Sequence, residues 1–138
     1  MNNRIAILSD IHGDTTALKA VIADARALGA TEYWLLGDIL LPGPGREDLF
    51  ELLDVIPITV AVRGNWDDCV LEALDGEYGL EDPQEIQLLR LTQYLMEGLD
   101  PKRIDWLRSL PLVEKKEVNG IRFSLTHNLP EKNYGGDL

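Results

Sequence analysis

The chain has 138 residues, 45% of them hydrophobic and 27% charged, which is one ordinary domain with material for a sizeable core and excludes wholesale disorder. Thirteen basic residues stand against 24 acidic ones, a formal net charge of −11, and this argues against nucleic-acid binding through a basic surface and against docking on an anionic membrane. A single cysteine, Cys69, excludes an internal disulfide framework and a cysteine-cluster zinc site.

In chain order, residues 4–8 (RIAIL) read as a short buried strand. Residues 14–28 predict a helix: Asp14 or Thr15 caps it, Leu18, Val21, Ile22 and Ala25 recur at helical spacing, and Gly29 stops it. Residues 32–36 are a second strand. Residues 46–55 form a short amphipathic helix with Leu49, Leu52 and Leu53 on one face and Pro57 beyond its end. A third strand covers 58–62, a short helix 66–74, and a longer one 83–96. Pro101 suits the first turn of a further helix ending near Leu110. Strands at 112–118 and 121–126 flank Asn119-Gly120, a strong hairpin signal. The tail, residues 131–138, has no core-forming pattern. No apolar run approaches the roughly 18 residues of a membrane span, and the N-terminal apolar run is too short for a secretory signal. A cytoplasmic location is the default expectation.

Strands alternating with helices imply an α/β fold of parallel βαβαβ units, with a helical segment and an antiparallel C-terminal hairpin joined to them. In open α/β sheets, ligands gather at the carboxyl ends of the strands. The first strand is followed by Ser9-Asp10-Ile11-His12-Gly13-Asp14, the second by Gly37-Asp38, the third by Arg63-Gly64-Asn65-Trp66-Asp67-Asp68, and the last by His127-Asn128. Both histidines of the chain fall in this set.

Carboxylate, imidazole and amide oxygen together suit a divalent cation such as Mn, Fe, Zn or Ni. Asp10 and His12 are two apart, so in an extended segment both share a face. Asp38 offers a carboxylate whose two oxygens would bridge two cations. Asn65 adds a neutral oxygen, and His127 a nitrogen for the second ion. Two ions about 3.5–4 Å apart activate a water and clamp a phosphoryl oxygen together. Gly13, Gly37 and Gly64 adjoin these residues and permit sharp turns. Backbone N–H groups opening the helix after Gly13 would face a phosphate. Taken singly, Asp10 reads as a loop acid or cap, Gly37-Asp38 and Gly64-Asn65 as turns, and His127 as a strand-end histidine satisfied by a carbonyl. Taken together, in this order, they are far more specific.

The series D-x-H, G-D, G-N-x-D and a strand-borne H, carried by Asp10/His12, Gly37/Asp38, Gly64/Asn65/Asp67 and His127, resembles the calcineurin-like metallophosphoesterase family over residues 4 to 128. The resemblance implies a metallophosphoesterase-like sandwich of which this chain is the N-terminal portion only. It implies two metals, the first held by Asp10, His12 and Asp38, the second by Asp38, Asn65 and His127, with Asp38 the bridge. It also implies hydrolysis of a phosphomonoester or phosphodiester by a metal-bound hydroxide. Asp38, Asn65 and Asp67 are the residues expected to carry the catalysis, Asp67 by orienting Asn65 or another ligand from behind or simply as a helix N-terminal acid.

Two positions depart from the pattern. Where many members carry G-N-H-[DE], this chain has Trp66, as the small bacterial and archaeal phosphodiesterase-like branch often has a non-histidine there. Trp66 reads either as a ring that packs on a substrate or as a helix-start core residue. The family's closing G-H-x-H does not occur in this sequence. The expectation is therefore one truncated domain over 1–138, with incomplete metal occupancy and impaired turnover, self-associating through an uncovered sheet face or edge. Two rivals stand beside the enzyme: a non-catalytic metal-binding or interaction fragment, and a phospho-acceptor signalling domain. The last normally needs paired acids after the first strand and a lysine after the last, where this chain has Asp10-Ile11-His12 and Thr126-His127.

Overall fold

The computed structural model describes residues 3–133. Its elements are β1 (Ile5–Leu8), α1 (Thr15–Ala27), β2 (Glu32–Leu35), α2 (Glu47–Leu53), β3 (Ile58–Ala61), α3 (Asn65–Leu74), α4 (Pro83–Met96), α5 (Pro101–Ser109), β4 (Val113–Val118) and β5 (Ile121–Thr126).

Local chemistry sets the helix starts. Asp14, the residue before α1, accepts the Ala17 N–H at 2.8 Å, filling a donor left open at the first turn. That carboxylate occupies the place proposed for a phosphate at this helix end. Asp82-Pro83 and Asp100-Pro101 repeat one device: the aspartate accepts the N–H of Gln84 at 2.7 Å or of Lys102 at 3.0 Å, and the proline takes a position where no N–H is needed. Asn119 and Gly120, both at positive φ (+52° and +79°), make the tight turn between β4 and β5.

The strands β1, β2 and β3 form a parallel sheet in that order, with Ile5 opposite Glu32 and Leu35 opposite Ala61. The hairpin β4–β5 is a separate antiparallel sheet, Val113 facing Thr126 and Val118 facing Ile121. Among the described residues it makes no strand pairing with the parallel sheet. Instead it lies across one face, where Trp34, Val60 and Leu125 are buried together and Ile5, Leu36 and Val118 pack around them. Successive strand residues point to opposite faces, so Tyr33 and Leu35 enter the larger core with Leu18, Ile22, Leu49, Leu95 and Leu107 from the helices. β1 is less buried than its apolar composition suggests. Among the described residues it pairs on one side only, and Ile7 is 55% exposed.

The tail is partly docked. Asn133 is buried and donates to Asp68 Oδ2 at 2.7 Å, a long-range polar contact that hydrophobic patterning does not register; residues 134–138 lie outside the described residues. Among the described residues, no helix is long and apolar enough to cross a membrane.

Candidate metal centre

The carboxyl ends of the three parallel strands place the loops side by side. The Asp10 N–H donates to the Gly37 carbonyl at 3.0 Å, that of His12 to Asp38 at 2.9 Å, and that of Gly13 to Ile39 at 2.9 Å. The β1 and β2 chains thus stay paired past the ends of their strands, and Asp10 and His12 come alongside Asp38. The route differs from the extended segment expected. Asp10, His12 and Asp38 have φ of +58°, +51° and +54°, a left-handed conformation uncommon for residues with a Cβ, though least so for Asp, Asn and His. Such strain persists where surrounding contacts hold it, often at functional sites. At Gly64 any Cβ would collide with the Asp38 side chain, so the β3–α3 turn must carry glycine to approach this closely.

The five side chains converge on Asp38. Its Oδ2 lies 3.6 Å from His12 Nε2 and 3.4 Å from His127 Nε2. His12 Nε2 is also 3.4 Å from Asp10 Oδ1, and His127 Nε2 is 3.0 Å from Asn65 Oδ1. Ligand atoms of Asp10, His12 and Asp38 all lie within 4.8 Å of one another. The expectation of a bridge through both carboxylate oxygens is modified: Oδ1 accepts the Trp66 backbone N–H at 2.9 Å, which leaves Oδ2 to face both rings. The carboxylate is 3% exposed, and burial pushes the Asp38 carboxyl above its ordinary value, against the Trp66 N–H and the two histidines, which pull it down.

Both imidazoles are oriented from behind. His12 Nδ1 is 2.8 Å from the Leu41 carbonyl, and His127 Nδ1 is 2.6 Å from the Leu36 carbonyl. A carbonyl only accepts, so each Nδ1 carries the proton and a neutral ring has its Nε2 lone pair free. His127 Nε2 then meets the Asn65 oxygen acceptor to acceptor, and His12 Nε2 meets two carboxylate oxygens in the same way. Such a donor set calls for a cation among its lone pairs, and its oxygens and nitrogens fit a divalent metal.

Asp67 stands in the first turn of α3 and bears on the ligand Asp38 through that residue's main chain and not on Asn65. Its fully buried carboxylate accepts the N–H groups of Asp38 at 2.8 Å, Ile39 at 3.0 Å and Gly64 at 2.9 Å. It ties the β2 loop to the β3 loop through main chain. Burial pushes it up to about 6 despite those three donors. Sequence reasoning offered His127 a carbonyl partner without identifying Leu36, and missed the Leu41 carbonyl and the Trp66 N–H, because main-chain groups carry no residue-type signal. The Trp66 ring meets the His12 ring edge-on, with centroids 5.9 Å apart and planes at 85°, and its body packs against the helix-side core.

Nitrogen and oxygen donors gathered at the carboxyl ends of a parallel sheet make a candidate divalent-cation site. The profile of the calcineurin-like phosphoesterases matches residues 3–136, and the chain belongs to that family. An uncharacterized protein of Methanocaldococcus jannaschii is 30% identical over 135 residues, 95% of this chain and 51% of that protein. A metallophosphoesterase from Sphaerobacter thermophilus superposes with a TM-score of 0.58 at 32% identity, over 82% of this chain and 44% of that one. A hypothetical protein of Pyrococcus horikoshii gives a TM-score of 0.74 at 21% identity, over 99% of this chain and 59% of the other, a likeness of fold alone. The chain spans about half the length of the curated relative it matches.

Proposed function

We propose that the chain acts as a metal-dependent phosphoesterase that hydrolyses phosphomonoesters or phosphodiesters at a dinuclear centre. Asp10, His12 and Asp38 would hold one ion and Asp38, Asn65 and His127 the other, with Asp38 common to both. The observation that carries this reading is the pair of histidine Nε2 atoms turned on one carboxylate oxygen, at 3.6 and 3.4 Å, with both Nδ1 atoms engaged by carbonyls. When bound, two divalent ions such as Mn²⁺ supply an activated water and a clamp on the phosphoryl group.

The chain's own residues do the rest. Asp38 and Asp10 bring negative charge that favours cations over the anionic substrate alone. Asn65 adds an oxygen without adding charge. Asp67 fixes the two loops so that the donors keep their spacing without the ion. Access runs from the Asp10 side, where the carboxylate is 53% exposed against 8% for His127. A cavity of about 400 Å³ lies between β1 and α1, lined by Ser9, Asp10 and Asp14 among others and by none of the other four donors. The exposed Ile7, Val21 and Leu28 beside this free edge support self-association of the chain.

The test is Mn²⁺-dependent turnover of an activated aryl phosphodiester and of the matching phosphomonoester. We expect chelation by EDTA and Asp38→Ala each to take turnover to background. Mn²⁺ uptake with no turnover on either ester class would overturn the enzymatic reading in favour of a metal-binding chain.

A further inference from the structure

We propose that the Trp66 indole is a positioning residue for His12, and that it sets the affinity of the Asp10–His12–Asp38 subsite without bearing on its neighbour. This rests on the dinuclear reading above. The two histidines are held unequally. His127 has a side chain only 8% exposed, and its Nδ1 is anchored at 2.6 Å on Leu36. His12 stands on a left-handed residue with its side chain 31% exposed, and its Nδ1 anchor on Leu41 is 2.8 Å long. One hydrogen bond fixes a point on a ring but leaves the ring free to swing about it. The edge-on indole at 5.9 Å and 85° supplies the second restraint, in the arrangement that aromatic quadrupoles favour.

Trp66 serves the centre by two separable means. Its main-chain N–H holds Asp38 Oδ1 at 2.9 Å, and any residue but proline retains that contact. The contact with His12 belongs to the indole alone. A side-chain substitution therefore probes the ring contact while the main-chain donor stays in place.

The experiment titrates Mn²⁺ by calorimetry, and Co²⁺ by visible absorption, into the full chain. His127→Ala isolates the Asp10–His12 subsite, and His12→Ala isolates the other. In the His127→Ala chain, Trp66→Ala is expected to weaken Mn²⁺ about three- to tenfold and to alter the Co²⁺ absorption bands. In the His12→Ala chain it is expected to change neither. Trp66→Phe restores the affinity and Trp66→Leu does not. Equal losses in both backgrounds, no loss in either, or a leucine that restores as well as phenylalanine would each overturn the proposal. If Trp66→Ala fails to fold, the Phe and Leu variants decide it alone, a difference between them supporting the proposal and equality overturning it. A parent chain that takes up neither metal overturns the dinuclear reading, and this proposal with it.

Discussion

The parallel sheet is covered by helices on one face and by a two-stranded hairpin on the other, and the two coverings differ in kind. On the helix face Leu35, Leu49, Leu95 and Leu107 are wholly excluded from solvent. On the hairpin face the sealed set is Trp34, Val60 and Leu125, while Phe123, Ile121 and Ile7 remain 37%, 61% and 55% exposed. Burial of apolar area drives folding, so the helix face supplies most of the stability. The hairpin contributes placement: it delivers His127, at the end of β5, to the carbonyl of Leu36.

The comparison can be broken most forcefully at Leu35, the central-strand residue that points to the helices. Leu35→Ala is expected to cost about 2–5 kcal/mol, read as a lower urea midpoint with unchanged slope. A loss as small as that of an exposed residue would mean the helix face is not the main core. The next effect concerns Asp67, which ties together the loops after β2 and β3. Its carboxyl is held up to about 6 by burial, above the value near 3.9 of an unfolded chain. The protonated form is therefore the one folding favours. The stability it gives is complete below about pH 4 and is lost as pH rises through about 6. The expected loss between pH 4 and 7 is about 2 kcal/mol relative to Asp67→Asn, measured on the EDTA-treated chain. A pH profile shared by the two proteins would sink this account. The smallest effect is on the hairpin face. Phe123 touches Trp34 edge-on at 5.4 Å and is partly wet, so Phe123→Ala should cost about 1 kcal/mol. A loss equal to that of Leu35→Ala would abolish the asymmetry.

Much of this architecture is legible in the sequence because its causes are local. The spacing of Leu18, Ile22 and Ala25, the prolines at 83 and 101, and Asn119-Gly120 each act within a few residues, and the elements lie where those signals put them. The positions after each strand follow from the α/β layout, so Asp10, His12, Asp38, Asn65 and His127 stand out before any coordinates. The conformation that joins them does not. The left-handed backbone of Asp10, His12 and Asp38 depends on contacts between loops far apart in the chain, as do Asp67's three main-chain partners and the docking of Asn133 on Asp68. The hairpin's choice of a sheet face over a sheet edge is also long-range. Its alternating pattern is compatible with either, and packing against Trp34 and Val60 decides it.

The two anchoring carbonyls, Leu36 and Leu41, belong to one stretch of six residues leading out of the central strand. The imidazoles they steer come from opposite ends of the chain, yet both answer to this short span. An insertion or deletion inside it would turn both rings at once, so evolution can retune the pair only in concert at this point. This segment is therefore expected to keep its count of residues.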